Sequence, residues 1–233
     1  MTETTTTVTT DVRGLTIGVL GGTGLQGKGL TIRWAQAGLS VLLGSRSADR
    51  AIAAAKEIGE EIVGTQGNSI VGLSNVDTAA RADVVLVAVP FDGHAQLLTS
   101  LREQLAGKIV IDCVNPLGFD SRGPFALPVA EGSAAEQAAA LLPESTVTAA
   151  FHHVSAVHLA DPCVAEVDTD VLVLGDDRGA TDTVRALAEL IPGVRGVYGG
   201  RLRNAHQVEA FTANLIAINR RYKAHAGLRV TDI

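Results

Sequence analysis

The chain has 233 residues, a formal charge of −6, 46% apolar residues and only 3% aromatics. This size and apolar content exclude a chain disordered throughout, and the acidic balance excludes the basic surplus of a nucleic-acid binder. No apolar run approaches the ~18 residues of a membrane helix, and Cys113 and Cys163 form neither a disulfide framework nor a zinc motif; a cytoplasmic protein without membrane or nucleic-acid partners is expected.

Residues 1–11 are threonine-rich, lack helical or strand periodicity, and read as a disordered tail. Residues 15–20 form a glycine-bounded strand, and a helix over 25–37 follows, stopped by Gly38. A second strand over 39–43, a helix over 51–58 and a weaker third strand over 69–73 come next. Residues 83–89, nearly all β-branched or aliphatic, are the clearest strand, and Pro90 ends it. A helix over 93–105, a strand over 108–113, a helix over 134–142 and a strand over 146–151 continue the alternation. Strands that are apolar on both faces and alternate with helices predict an α/β fold, a Rossmann-type doubly wound parallel sheet with right-handed crossovers.

Beyond Phe151 the texture changes. Residues 152–168 are irregular and hold His152, His153 and His158. A strand over 170–174, a helix over 181–191 and a short strand over 194–198 precede a long final helix that Asn204 can cap. Its apolar stripe is Val208, Phe211, Leu215 and Ile218. This region reads as a second, smaller α/β unit.

Gly22-Thr23-Gly24-Leu25-Gln26-Gly27 spells G-x-G-x-x-G between a strand and a helix, the context in which that pattern binds a dinucleotide. Gly22 permits the tight turn, Gly24 lets the pyrophosphate approach the backbone, and Gly27 lets the helix lie close to the sheet. The alternative is a glycine-rich turn without a ligand. At the end of the second strand, where an NAD site carries a carboxylate for the ribose 2′-OH, the chain has Gly44-Ser45-Arg46-Ser47, with Arg50 one turn on. A hydroxyl and two guanidinium groups would clamp a 2′-phosphate, and cations at a helix start are unfavourable without an anion nearby. NADP(H) is therefore expected over NAD, with Thr23 adding a hydroxyl.

Ligands of doubly wound sheets lie beyond the carboxyl ends of the strands. The candidates there are Val89, Pro90, Phe91 and His94 after the fourth strand, Asn115 and Pro116 after the fifth, and His152 to Ser155 after the sixth. Pro90 offers a donor-free wall for a flat ring. Adjacent strand residues face opposite sides, so His152 and His153 do not make a metal pair, and no metal is expected. Cys113, at the end of a buried strand, is expected only to pack. No nucleophile, metal cluster or paired carboxylates stand out.

Gly21-Gly22-Thr23-Gly24-Leu25-Gln26-Gly27-Lys28-Gly29-Leu30, Gly44-Ser45-Arg46, Val89-Pro90-Phe91 with His94, and the final Leu202-Arg203-Asn204-Ala205 and Asn219-Arg220-Arg221-Tyr222-Lys223 together resemble the NADP oxidoreductases that use the deazaflavin coenzyme F-420. The resemblance covers almost everything after the tail. It implies an NADP-binding Rossmann domain over 12–150 and a small domain over 151–233 that closes a deazaflavin cleft. It also implies direct hydride transfer between the two carriers without a catalytic side chain, in a soluble homodimer. Thr23, Ser45, Arg46 and Arg50 would then hold the 2′-phosphate, Pro90 and Phe91 would border the nicotinamide, and His152 and Val154 would line the deazaflavin pocket. Arg201, Arg203 and the Arg220-Arg221-Lys223 cluster could meet the negative charge of the deazaflavin tail or simply form a solvated helix end. His206 departs from the pattern, standing where the resemblance implies an arginine. Two other readings are an NADP-dependent dehydrogenase of a small hydroxy or imino acid, which lacks an obvious general acid here, and a non-catalytic NADP sensor.

Overall fold

The apolar runs all enter one sheet. The computed structural model describes residues 10–62 and 70–233; most of the threonine-rich tail and Ser69, the start of the predicted third strand, lie outside them. In chain order the elements are β1 (Thr16–Leu20), α1 (Leu25–Gln36), β2 (Ser40–Ser45), α2 (Ala48–Glu61), β3 (Ile70–Ser74), α3 (Asn75–Arg81), β4 (Val84–Val87), α4 (His94–Ser100), α5 (Arg102–Leu105), β5 (Ile109–Asp112), β6 (Leu117–Asp120), β7 (Gly123–Ala126), α6 (Ala134–Leu141), β8 (Thr146–Ala149), α7 (Ala156–Ala160), β9 (Thr169–Gly175), α8 (Arg178–Glu189), β10 (Val194–Gly200) and α9 (Ala205–Tyr222).

The sheet order is β10-β9-β8-β5-β4-β1-β2-β3. The chain reverses direction across the sheet between β1 and β4, which opens the crevice that such folds use for ligands. Pairing is parallel except between β8 and β9, where Thr148 faces Gly175 and Ala149 faces Leu174 antiparallel. The wholly parallel sheet expected from the alternation is thus corrected at one junction, where the β9–α8–β10 unit adds to the edge strand β8.

The β4 residues show why the strand pattern carries no polar alternation. Val84 and Leu86 pack into one core cluster with Ile17, Val19, Trp34 and Phe151, while Val85 and Val87 pack into another with Leu20, Leu98 and Leu105. Helices cover both faces, so both sets of side chains must be apolar. Most helix starts are fixed by side-chain acceptors: Ser47, Ser74, Ser133, Ser155 and Asp177 each accept a backbone N–H of the first turn. Asn204 does not; a 3-10 turn over Leu202–Asn204 leads into α9, and its side chain makes no capping bond.

The single helix expected over 93–105 is two, α4 and α5. The hydroxyls of Thr99 and Ser100 bond back to the carbonyls of Ala95 and Leu97, and the Leu101 N–H is shared between Leu97 and Leu98. Side chains competing for the helix carbonyls interrupt it there. Asp170, in β9, anchors the C-terminal segment: its buried carboxylate accepts from Arg195 Nε at 2.8 Å, Arg229 Nη1 at 2.6 Å and the Val230 N–H at 2.6 Å.

Candidate functional site

The carboxyl ends of β1, β2, β3 and β4 converge on a cleft of about 610 Å³, lined in part by Gly21, Thr23, Gly24, Ser45, Arg46, Arg50, Asn75, Val89, Pro90 and Asp92. Gly21, not Gly22, makes the tight turn, with φ +77°, and a Cβ there would sit 2.6 Å from the Ala88 carbonyl oxygen. Gly22 serves packing, since a Cβ on it would meet Leu43 at 2.7 Å. Gly24 is exposed at the cleft and stands at the N-cap of α1 without a side-chain cap or an acidic residue in the first turn. The free N–H groups of that turn fit a phosphate. Gly27 fulfils its expected role: its Cβ would lie 2.8 Å from the Gly22 Cα. Leu25 points into solvent, and Gln26 reaches across to donate to the Phe151 carbonyl at 3.1 Å.

The rest of the glycine motif is explained by α7. A Cβ on Gly29 would strike Leu159 Cβ at 2.6 Å, so only glycine admits that helix. Next to it the buried Arg33 guanidinium donates to the carbonyls of His158, Leu159 and Val164 at 2.6–2.8 Å. Lys28 bridges to Glu57 at 2.8 Å and ties α1 to α2.

Ser45 is buried at the cleft floor, and Arg46 and Arg50 are exposed at its mouth. Neither arginine has an ion-pair partner among the described residues. Two unpaired cations at the start of α2 are what a bound anion would satisfy. Asn75 was not expected from the sequence. Its Oδ1 is buried with no hydrogen-bond partner among the described residues, beside Gly44 and Ser45. The rule that ligands sit beyond strand ends, applied to β3, would have found it.

The other expected contacts divide. Val89 and Pro90 line the cleft, whereas Phe91 is half-buried against a core cluster. His94, expected as a cofactor contact, is fully buried, bonded to Asp112 and Gln137, and does not open to the cleft. Asn115 and His152 gather on the side facing α9, whereas Val154 packs on the other side with Trp34 and Phe151. Asn115 accepts from the Thr212 hydroxyl at 3.0 Å and donates to the His152 carbonyl at 3.4 Å. His152 is buried with both ring nitrogens unpartnered, and burial pushes its pKa down to about 3, so the ring is neutral. His153 donates from Nε2 to the Val208 carbonyl at 2.7 Å. Val154 is part of the core. Just before them Phe151 holds φ +66° while buried edge-on against Trp34, a strained backbone kept in place by packing and by Gln26. Cys113 packs as expected, its thiol donating to the Val87 carbonyl and pushed up by burial.

Residues 16–116 match the family model described as NADP oxidoreductase coenzyme F420-dependent. An F420-dependent NADP reductase of Methanothermobacter thermautotrophicus is 42% identical over 93% of this chain and 95% of its own length. The chain belongs to the family of F420-dependent NADP reductases. A second such reductase, from Methanothermobacter marburgensis, is 38% identical over 93% of this chain and 98% of its own. A crystal structure from Arthrobacter sp. FB24, provisionally assigned to the same reductases, superposes with a TM-score of 0.77 at 27% identity, over 94% of this chain and all of that one. The Rossmann-like α/β fold of this reductase is thus shared along nearly its whole length. No helix among its described residues is long and apolar enough to cross a membrane.

Proposed function

We propose that this reductase binds NADP(H) in the cleft, with the 2′-phosphate held by Thr23, Ser45, Arg46 and Arg50 and the pyrophosphate on the first turn of α1. The guanidinium pair that follows β2, without an ion-pair partner among the described residues and with no carboxylate on that strand end, carries this reading. The two carriers, once bound, exchange a hydride between the nicotinamide and the deazaflavin ring. The chain contributes alignment and dryness: Pro90 and Val89 give the nicotinamide a flat wall, and residues after 150, with His152, Val154 and Asn115, form the deazaflavin side. His152 is kept neutral there by burial. The test is turnover: mixing NADPH with oxidised coenzyme F-420 bleaches the deazaflavin absorbance, and its absence at every pH refutes the reading.

A homodimer is part of the same proposal. Phe211 and Ile218 of the α9 stripe stay part-exposed, and Phe119 and Phe125 of the β6–β7 hairpin lie exposed nearby, with Arg220 over the Phe119 ring. A groove of about 490 Å³ between hairpin and helix is lined by Pro124, Phe125, Ala210, Phe211 and Ala217. A second copy covers this face. Light scattering should give twice the 24.1 kDa chain mass, and Phe211→Glu should return it to one.

A further inference from the structure

The bonds around His94 set its charge. Nε2 lies 2.6 Å from Oδ2 of Asp112, whose other oxygen accepts the Val114 N–H at 3.0 Å. Nδ1 lies 3.0 Å from Oε1 of Gln137. The orientation of that amide is fixed from its far end, where Nε2 of Gln137 donates to Glu131 Oε2 at 3.1 Å. A carboxylate only accepts, so the amide nitrogen must face Glu131 and the amide oxygen must face the imidazole. Both ring nitrogens of His94 therefore donate, and the buried ring is an imidazolium.

Its place in the fold gives that cation a task. His94 is the first residue of α4 and follows the turn Phe91–Gly93, where Asp92 and Gly93 line the cleft with Val89, Pro90, Gln96 and Leu97. Its N–H donates to the Phe91 carbonyl, and the Phe91 ring lies 6.1 Å away, tilted by 31°. The ring thus pins this wall to β5 through Asp112 and to α6 through Gln137. The third nearby charge is Glu209 of α9, buried and accepting the N–H groups of Ala134 and Ala135 at 2.9 and 3.1 Å. Burial opposes a charge on His94, but the Asp112 bond and charge, Gln137 and Glu209 together raise its pKa.

We propose that His94, held as an imidazolium between Asp112 and Gln137, is a positioning residue that sets the cleft wall at residues 89–93 against the bound dinucleotide. Removing one proton would turn a lone pair toward an acceptor oxygen in a site closed to water, and the wall would have to move. The inference rests on the reading of the cleft as an NADP(H) site and goes beyond it, because His94 touches no ligand.

The experiment follows the ring and the cofactor separately. In the full chain labelled with ¹⁵N-histidine, the His94 nitrogens should both be protonated near neutral pH. NADPH affinity, measured by fluorescence from about pH 6 to about pH 10, should fall on the order of tenfold at the pH where that ring deprotonates. Asp112→Asn should move this midpoint down by about one unit or more, and His94→Gln should abolish it. A singly protonated ring near neutral pH, an unmoved midpoint in Asp112→Asn, or wild-type affinity in His94→Gln each overturns the proposal. If neither variant folds, the wild-type ring titration and its coincidence with the affinity change decide alone. Absence of NADPH binding by the wild type, with the ring doubly protonated, overturns the cofactor reading and this inference with it.

Discussion

At the residue scale, selectivity for the phosphorylated dinucleotide rests on few groups. Arg46 is exposed and carries no competing ion pair among the described residues, so its guanidinium is available to a 2′-phosphate and gives nothing to the fold. Arg46→Ala should therefore leave the melting temperature unchanged. A charge-assisted bond is worth about 2 kcal/mol, so NADPH binding should weaken on the order of thirtyfold. NADH, which has no 2′-phosphate, should lose less than about threefold. Titration of both nucleotides checks this, and equal losses refute the clamp. Ser45 lies at the floor of the same cleft and is buried, so its substitution also tests packing.

At the element scale, the close fit of α2 on β3 depends on Gly72. A Cβ there would lie 2.2 Å from the backbone carbonyl of Ala51, and a helix backbone cannot move aside as a flexible side chain can. Gly72→Ala should cost on the order of 3 kcal/mol by overpacking, seen as a lower melting temperature, and should loosen the Arg46–Arg50 segment that α2 carries. This contact could not be read from the sequence, because only the docked helix shows what faces the glycine. The strands could be read, since burial on both faces leaves uninterrupted runs such as 84–87. The glycine turn before α1 and the placing of Ser45 and Arg46 at one cleft were likewise legible, because the strand-turn-helix context of those residues puts them beyond strand ends. The β6–β7 hairpin was not, because Pro124 and two glycines break any strand pattern in its short arms. Nor was the burial of His94, whose partners lie 18 and 43 residues away in the chain.

At the scale of the whole molecule, buried titratable groups far apart in the chain set how stability depends on pH. Burial pushes the Glu209 carboxyl from 4.5 up to about 7, against the two backbone N–H groups that hold it down. Its folded pKa lies above its unfolded one, so its stabilising effect is complete below about 4.5 and is lost as pH rises through about 7. His94, also raised, loses its contribution as pH climbs above 6.5. His152, pushed down to about 3, acts in the opposite sense: its contribution is present above 6.5 and is lost as pH falls. His153 is lowered too and adds to that loss. Between 4.5 and 6.5 the glutamate opposes these histidines, so it offsets part of the stability they lose as pH falls. Glu209→Gln removes one side of the balance. The gap between wild type and variant should widen as pH falls from about 7 to about 4.5, by on the order of 3 kcal/mol at about 1.4 kcal/mol per unit. Urea unfolding of both proteins across this range measures it, and a gap that stays constant with pH would show that Glu209 is ionised throughout.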